Sequence, residues 1–375
     1  MIEFRMPSLG ADMDAGTLVE WRIAPGDTVA RGQVVAVVET DKGAVEIESW
    51  QGGVVSRLLV AVGTKVPVAT VLATFDAPGD VSVAPAPPSV ELPPIAAPVG
   101  ARPRASPAAR RRAHEQSVDL AALHGTGPHG EITVADVEHA ALPRTPAPPA
   151  PVTDHSATMR QAIAAAMSRS KREIPHYYLG ASIDMSAALG WMQSENLTRP
   201  VTARLLPIAL QLKAVALAVR ETPDLNGFWI DGAFRPGVGV HVGVAISLRR
   251  GGLVAPAIHD LDKLPLGDVM RALEDVTTRA REGRLRSSEM SDPTLTVTSL
   301  GDRGVETVFG VIHPPQVAMI GLGTTVDRPW AVGGLLGVRP VTTATLSGDH
   351  RVSDGHRGAR FLATLADLLQ HPELL

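Results

Sequence analysis

The chain has 375 residues, more than one hydrophobic core usually serves, so we expect two or more folded domains. Its formal net charge of −4 gives no global electrostatic reason to bind nucleic acid or an anionic membrane, and we expect neither partner. The absence of cysteine excludes disulfides, thiolate zinc sites and cysteine nucleophiles, and we expect no metal site. The N-terminus lacks a basic start followed by an apolar run, so we expect a cytoplasmic location.

Two proline-rich stretches divide the chain. Seven of the 24 residues from Ala77 to Gly100 are proline, and a second proline cluster runs from Pro143 to Thr153. Such segments cannot bury enough apolar surface to fold, and proline stiffens them into extended spacers. The predicted organisation is therefore a first block at 1–76, a middle block at 104–142 and a last block at 155–375, with linkers at 77–103 and 143–154.

The first block is predicted to be all-β, because short valine-rich runs alternate with Gly and Pro-Gly turns. Sliding the block by 37 residues places Leu18 on Val55 and Gly26 on Gly63. Two similar halves imply a quasi-symmetric flattened barrel or sandwich. Lys42 lies between the halves, where Asp-Lys-Gly has hairpin-turn composition, so we expect it at an exposed tip.

The surroundings of Lys42 favour a chemical role for this lysine over a merely solvated charge. The stretch GDTVARGQVVAVVETDKGAVEIES resembles the lipoyl domain, whose matching lysine carries lipoate in amide linkage. Biotin carrier domains share that architecture, but methionines typically flank their lysine, whereas Asp41 and Gly43 flank Lys42. The resemblance implies a lipoyl barrel-sandwich with covalent lipoate on Lys42.

The middle block is predicted to form two short helices around a glycine-rich loop. The first helix starts near Ser106, and the second has Thr133 as N-cap with Asp136 at its third position. A lone core of fewer than about 40 residues is marginal. A binding module is therefore more plausible here than an enzyme.

A run of arginines from Arg110 to Arg112 gives the middle block a basic face. No aromatic residues are interleaved with it, which disfavours nucleic-acid binding. The block resembles the small α-helical peripheral subunit-binding domain of 2-oxo acid dehydrogenase complexes, in which Arg110 matches a docking arginine. Glu131 stands where many members carry a second arginine, so the sequence leaves open which peripheral component docks.

The last block mixes helical and strand periodicities, which predicts an α/β domain of about 220 residues. The periodicities predict a helix before the break at Ile174-Pro175, a second helix ending at Gly283 and a final amphipathic helix through Phe361, Leu365 and Leu368. Predicted strands are Val238 to Ile246, Thr294 to Ser299, Val317 to Leu322 and Val341 to Leu346.

The strongest chemical signal is the string DHRVSDG from Asp349 to Gly355. A histidine followed by an aspartate four residues later is weak alone, but the full string resembles the DHRxxDG signature of dihydrolipoamide acyltransferases. The match extends through MRQAIAAAMSRSKREIPHYYL, PTLTVTSLG and HPPQVAMIGLG, and so covers the last block. This resemblance implies the chloramphenicol acetyltransferase-like fold with a histidine base.

The resemblance also implies a role for each site residue. His350 would deprotonate coenzyme A, because thiols with unperturbed pKa values above about 8 are mostly protonated at neutral pH. Thr298 matches the hydroxyl that stabilises the oxyanion, with Ser299 as an alternative. Asp354 would hold the active-site backbone by pairing with an arginine, for which Arg160 is a candidate.

Partners and assembly follow from the same resemblance. The expected partners are a thiamine-dependent 2-oxo acid decarboxylase and dihydrolipoamide dehydrogenase. Family members form trimers within a large core and share each active site between neighbouring subunits. Acetyl transfer is favoured; branched-chain or other acyl specificity and a non-catalytic docking subunit are the alternatives.

Overall fold

The computed structural model describes residues 2–8, 13–40, 43–76, 105–116, 118–120, 123, 125–141, 155–248 and 252–375. It contains two compact units, one made of residues 1–81 and 154–375 and the other of residues 82–153. Lys42 and both predicted linkers lie outside the described residues.

The N-terminal part of the first unit is all-β, as the valine runs predicted. Its strands form two antiparallel sheets with the orders β1-β8-β6-β3 and β5-β4-β2-β7. Leu18, Ile47 and Phe75 are fully buried between them. The strands are β1 (Ile2–Arg5), β2 (Ala15–Trp21), β3 (Thr28–Val29), β4 (Gln33–Thr40), β5 (Gly43–Ser49), β6 (Gly53–Leu58), β7 (Lys65–Pro67) and β8 (Val71–Asp76).

The internal repeat is visible in the hydrogen bonding. Gly26 N donates to Val55 O at 2.8 Å, and Gly63 N donates to Leu18 O at 2.7 Å. Each turn glycine therefore bonds to the strand of the other half, at the positions that the sequence repeat aligns. Both glycines have positive φ, 94° and 86°, which favours glycine at these turns.

The second unit contains helices α1 (Pro107–Glu115) and α2 (Val134–Ala141). Ser106 caps α1, since its side chain accepts from Ala109 N at 3.1 Å. Thr133 and Asp136 form a reciprocal cap at α2, with Thr133 N donating to the Asp136 carboxylate at 2.8 Å. Asp136 also accepts from the backbone and hydroxyl of Thr126, so one carboxylate joins the glycine-rich loop to the helix. These bonds, led by the Thr126 hydroxyl, hold the pKa of Asp136 well below its usual range.

The rest of the first unit is an α/β domain. Its helices are α3 (His155–Glu173), α4 (Ser186–Thr198), α5 (Pro207–Glu221), α6 (Leu266–Glu282), α7 (Ser287–Ser291) and α8 (Gly355–Gln370). Its strands are β9 (His176–Asp184), β10 (Gly227–Ile230), β11 (Ala233–Pro236), β12 (Val242–Val244), β13 (Ile246–Ser247), β14 (Leu253–Val254), β15 (Ala257–Ile258), β16 (Leu285–Arg286), β17 (Leu295–Ser299), β18 (Ala318–Leu322), β19 (Val326–Val332) and β20 (Leu335–Asp349).

A mixed sheet organises this domain, with the order β15-β12-β17-β18-β20. Strands β12, β17 and β18 are parallel, and β20 runs antiparallel to β18. The first half of β20 pairs with β19, and the second half pairs with β9. This long strand therefore carries the chain from an exposed hairpin to the turn that contains His350.

Helix α5 forms part of the core. In the described part of the chain, the stretch Val201–Glu221 is long and apolar enough to cross a membrane by length and composition alone. Here Leu210 and Val215 are fully buried among other elements of the domain. Lys213 is also buried, and its Nζ donates to the carbonyls of Asp262 and Leu264, both at 2.7 Å. These contacts are those of a core helix in a folded domain.

Two strand boundaries differ from the sequence predictions. The alternating stretch from Val238 yields only the three-residue β12 followed by β13, because Gly237 and Gly239 bond to Asn226 instead of to a strand. Strand β20 begins six residues earlier than predicted, because Leu335–Val341 pairs with β19 in a hairpin. Helix α6 ends where predicted, with Gly283 at a φ of 70°.

Candidate active site

The turn between β20 and α8 is fixed by the residues on either side of His350. Asp349 is fully buried, and its carboxylate accepts from Arg351 N at 3.0 Å and from the Arg351 guanidinium, with Nη2 to Oδ2 at 2.6 Å. The same guanidinium lies 4.7 Å from the centre of the Trp229 ring. Asp349 and Arg351 therefore hold the turn rigidly while His350 between them stays exposed.

Tyr177 on β9 orients His350 from one side. The two rings meet edge to face with centroids 5.3 Å apart. The Tyr177 hydroxyl hydrogen-bonds to Ser353 Oγ at 2.8 Å, across the same turn. Burial raises the pKa of Tyr177, so the hydroxyl keeps its proton near neutral pH. Gly348 is opposite Tyr177 in the sheet, and a Cβ there would lie 2.4 Å from the ring, so only glycine leaves room for this tyrosine.

Asp354 caps α8, and its pairing with Arg160 stays a prediction. Its carboxylate accepts from Arg357 N at 3.0 Å. That bond is the main cause of a pKa below the usual range for Asp354. Among the ion pairs of the described residues, none joins Asp354 to Arg160. An aspartate directly before a helix meets unpaired backbone N–H groups, and here they satisfy the carboxylate locally.

Thr298 lies on β17 and faces a cavity of about 540 Å³. Thr296, two residues earlier, lines the same cavity and donates its hydroxyl to Gln316 Oε1 at 2.7 Å. Alternation along a strand turns Ser299 to the opposite face, and Ser299 does not line the cavity. Of the two hydroxyl candidates, Thr298 is therefore the one directed at an open space.

Residues of the N-terminal β block line the same cavity. They include Met13 and Thr40. Thr40 ends β4 and pairs with Gly43, the first residue of β5; its hydroxyl donates to Gly43 O at 2.9 Å. Only two residues of sequence, Asp41 and Lys42, connect this pair. The hairpin geometry up to Thr40 and Gly43 therefore fits an attachment point for a long arm beside the cavity.

Within one chain, His350 and Thr298 are far apart. Thr298 pairs with Gly321 of β18, and Gly321 pairs with Thr345 of β20. At about 3.3 Å per residue, the five steps from Thr345 to His350 span roughly 17 Å along the direction of β20. Thr298 lies two strands away from Thr345, which increases the separation further. Groups that act on one reacting centre must approach within hydrogen-bonding distance. A single chain therefore does not bring these two residues into one site.

The docking candidates of the second unit are at its surface. Arg110 is exposed on α1, and its Nε donates to Ala105 O at 3.2 Å. Arg112 instead forms ion pairs with Glu115 and Glu138 on its own unit. Glu131 is also exposed. The unit thus presents both a cation and an acid to solvent.

Sequence reasoning missed Tyr177, Ser353 and Trp229. The chain has only two tyrosines, both in the string REIPHYYL that carries part of the resemblance, which was a usable signal for Tyr177. Ser353 lies inside the DHRVSDG string. Nothing local marks Trp229, because its contact with Arg351 depends on the packing of the β10–β11 hairpin against the turn.

Family models match three segments of the chain. Residues 150–375 match the 2-oxoacid dehydrogenases acyltransferase (catalytic domain), and residues 103–138 match the e3 binding domain. Residues 2–75 match a model described as biotin-requiring enzyme, whose family name joins biotin and lipoyl.

Relatives match along the whole chain. The dihydrolipoyllysine-residue acetyltransferase component of the pyruvate dehydrogenase complex of Zymomonas mobilis is 30% identical, over 99% of this chain and 98% of its own. The component of the same name from Staphylococcus aureus is 30% identical, over 100% and 98%.

Solved structures agree with these matches. A dihydrolipoamide acetyltransferase from Azotobacter vinelandii superposes with a TM-score of 0.54 at 27% identity, covering 60% of this chain and 97% of its own. A probable dihydrolipoamide acetyltransferase from Listeria monocytogenes gives 0.54 at 29% identity, with 57% and 92% covered. The chain belongs to the dihydrolipoamide acyltransferase components of 2-oxo acid dehydrogenase complexes.

Membership confirms the predicted class of enzyme, cofactor and partners. The protein transfers acyl groups between a covalently bound lipoyl group and coenzyme A. Its middle block is a binding domain for dihydrolipoamide dehydrogenase. The Z. mobilis relative is named as a component of the pyruvate dehydrogenase complex, and a solved structure similar to the last block is the cubic core of such a complex, with a TM-score of 0.54 at 27% identity.

Proposed function

We propose that this chain is the acetyltransferase of a pyruvate dehydrogenase complex and transfers acetyl groups from lipoate on Lys42 to coenzyme A. The names of the Z. mobilis and S. aureus relatives support the acetyl group and the complex. We further propose a cytoplasmic location, because the Z. mobilis and S. aureus relatives are bacterial. A fission yeast relative is named as mitochondrial. The proposed domain limits are 1–76, 104–142 and 155–375, with linkers at 77–103 and 143–154.

One observation carries the mechanism. Thr40, next to Lys42 in the hairpin by sequence, and Thr298 line one cavity, whereas His350 of the same chain lies roughly 17 Å further along the direction of β20 by strand geometry. We infer that His350 reaches the cavity from a neighbouring chain. A trimer with an active site at each interface satisfies this requirement.

Each residue of the proposed site then has a separate role in the acyl transfer. When bound, lipoate supplies the acyl group as a thioester. His350 takes the proton from the coenzyme A thiol, and its edge contact with Tyr177 keeps the imidazole in place for that transfer. The Thr298 hydroxyl donates to the acyl oxygen as that oxygen gains negative charge, a contribution of about 3 kcal/mol in comparable sites. The apolar walls, which include Met167 and Met319, exclude water from the thioester.

Asp354 has a positioning role in this proposal. The A. vinelandii structure is described as an investigation of a serine, a histidine and an asparagine in the catalytic mechanism, with the asparagine four residues after the histidine. His350 and Asp354 have the same spacing. Asparagine and aspartate are both strong helix N-caps, and Asp354 caps α8 here. We infer that Asp354 fixes the start of α8 and thereby the turn that holds His350.

The test is acyl transfer to free dihydrolipoamide from acetyl-, succinyl-, isobutyryl- and isovaleryl-coenzyme A, using lipoylated and assembled protein. We expect acetyl-coenzyme A to give the highest kcat/KM. An apolar pocket discriminates by about 1 to 3 kcal/mol per methylene, so the margin over the branched donors should be tenfold or more. A branched or succinyl donor with the highest value would assign the chain to another complex. Activity with none of the four would favour the docking-subunit alternative.

A further inference from the structure

Strand β16 of the acyltransferase domain extends a sheet of the lipoyl block, which is the N-terminal β block made of β1 to β8. Strand β5 is at the edge of its own sheet, and β16 pairs with it in parallel, with Leu285 opposite Val45 and Arg286 opposite Glu46. Exposed sheet edges are common recognition surfaces, because their unpaired backbone groups accept another strand. Val45 belongs to the buried core of the lipoyl block and Leu285 to that of the acyltransferase domain, so this pairing joins the two blocks.

Glu48 is buried where the lipoyl block meets the acyltransferase domain. Along β5, Val45, Ile47 and Ser49 point into the lipoyl core, so Glu46 and Glu48 belong to the outer face. Glu48 is nevertheless only 7% exposed. Its carboxylate accepts from Ser288 Oγ at 2.5 Å and from Ser288 N at 3.3 Å. Its backbone N donates to Ser287 Oγ at 3.1 Å. The residues that cover this outer-face carboxylate thus come from the acyltransferase domain.

The surface that receives Glu48 is also held by contacts that do not involve the lipoyl block. Glu289 accepts from Arg286 N at 2.9 Å and from Arg279 Nη1 at 2.6 Å, within the acyltransferase domain itself. Met290 packs against the hydrophobic cores of both blocks. A receiving site held by its own ion pair loses little freedom when a partner binds, which favours recognition.

We propose that β16 and the Ser287-Ser288 pair form a recognition site for a lipoyl domain, and that Glu48 is the positioning residue that places the lipoyl hairpin at the Thr298 cavity. The proposal rests on the transfer reaction proposed above and adds the determinant of docking. The partner it fits is a lipoyl domain with an outer-face carboxylate at this point of its edge strand, from the same chain or a neighbouring copy.

The site would discriminate between lipoyl domains because burying an unpaired polar group costs free energy. Docking removes the Glu48 carboxylate from water, and the two Ser288 hydrogen bonds offset that cost. A lipoyl domain without an acid at this position would leave the Ser288 donors unpaired on docking. The strand pairing spans only two residues on each side, with Met290 and the Glu48 carboxylate beside it, so it suits an arm that must leave to visit other sites.

The experiment compares tethered and free acyl acceptors in the full-length, assembled and lipoylated protein. Glu48→Ala and Ser288→Ala should each slow acetylation of the protein's own lipoyl arm by acetyl-coenzyme A about tenfold, the expected loss for a charged hydrogen bond. Both variants should keep wild-type kcat and KM with free dihydrolipoamide, which needs no docking. The matched control is Glu20→Ala, which removes an exposed carboxylate of the same block.

A double variant separates docking from damage to the fold. If Glu48 and Ser288 act through their mutual bond, combining the two substitutions should slow arm acetylation no further than either alone. The proposal is overturned if Ser288→Ala acetylates its arm at the wild-type rate, if the two losses multiply, or if transfer to free dihydrolipoamide falls in parallel. Absence of transfer to free dihydrolipoamide in the wild-type protein would instead refute the proposed function.

Discussion

At the scale of single residues, the position of His350, the proposed base, depends on Tyr177, which takes no part in the proton transfer. His350 is exposed at the apex of its turn, and the contacts that restrain it are the Tyr177 ring and the hydrogen bond from its backbone N to Pro175 O at 3.0 Å. Tyr177 in turn bridges to Ser353 across the turn. A small displacement of this group would misalign the imidazole with the thiol, and misalignment of about 1 Å can cost a large rate factor.

Tyr177→Phe keeps the ring and removes the bond to Ser353. A hydrogen bond of this kind contributes about 1 kcal/mol, so we expect kcat to fall about fivefold. The KM for coenzyme A should stay unchanged, because the substitution affects the alignment of the base and not the binding of substrate. Steady-state kinetics with free dihydrolipoamide measure both constants.

Tyr178→Phe is the matched control, since Tyr178 is the only other tyrosine and faces Lys171 and Phe309 instead of His350. It should retain wild-type kcat. Equal losses in the two variants would show that the effect is one of general packing and would contradict the positioning role of Tyr177.

At the scale of elements, the subunit-binding unit depends on one carboxylate. Asp136 caps α2 and accepts both the backbone and the hydroxyl of Thr126, in a unit whose buried core includes only Ala109, Ala113, Ile132 and Val137 among its described residues. A core of this size leaves little reserve of stability. Local polar contacts therefore matter more here than in the acyltransferase domain.

Asp136→Ala should lower the protection of the α2 amides from hydrogen exchange in the full chain about fivefold, through loss of the cap. The control, His139→Ala, alters an exposed side chain on the same helix and should leave protection unchanged. Undiminished protection in Asp136→Ala would show that the cap does not stabilise the unit.

The Asp136 carboxylate predicts how the stability of this unit changes at acid pH. Folding lowers the pKa of Asp136 below its ordinary value of 3.8. Its contribution to stability is therefore complete above pH 3.8 and declines as the pH falls further toward the folded-state pKa. Exchange measured from pH 6 to pH 3 should show protection of α2 falling at the acid end in the wild type, with a smaller fall in Asp136→Ala.

At the scale of the whole molecule, the separation of His350 from Thr298 makes activity a property of the assembly. If each site combines His350 of one chain with Thr298 of the next, His350→Ala and Thr298→Ala proteins should each be nearly inactive alone. Co-assembled in equal amounts, they should recover about a quarter of wild-type activity, because one interface in four then pairs an intact histidine with an intact threonine. Light scattering checks assembly, and transfer to free dihydrolipoamide measures activity.

In the control, the two proteins are assembled separately and then mixed under conditions where chains do not exchange. This mixture should recover no activity. Failure of the co-assembled protein to regain activity would place both residues in one chain's site or in none.

Several features could be predicted from the sequence because the residues that determine them lie close together along the chain. The capping residues Ser106, Thr133 and Asp136 predicted the starts of their helices, and the structure confirms them. The Asp-Lys-Gly turn and the DHRVSDG string likewise predicted Lys42 and His350 as site residues, although Lys42 lies outside the described residues. Gly283 also ended α6 where predicted, since a helix stop needs only the residue that can adopt a positive φ. Each of these features is decided by neighbours within a few positions.

Tertiary structure decided what depends on register between distant strands. The β9–β20 pairing brings Tyr177 to His350, and the β17-β18-β20 register sets His350 apart from Thr298. The β5–β16 contact buries Glu48, which alternation alone would leave in water. The carboxylate of Asp354 accepts from the backbone N of Arg357 at the start of α8. Local sequence fixes which groups a chain carries; only the packing of distant segments fixes which of them meet, because burial and pairing are properties of the neighbours.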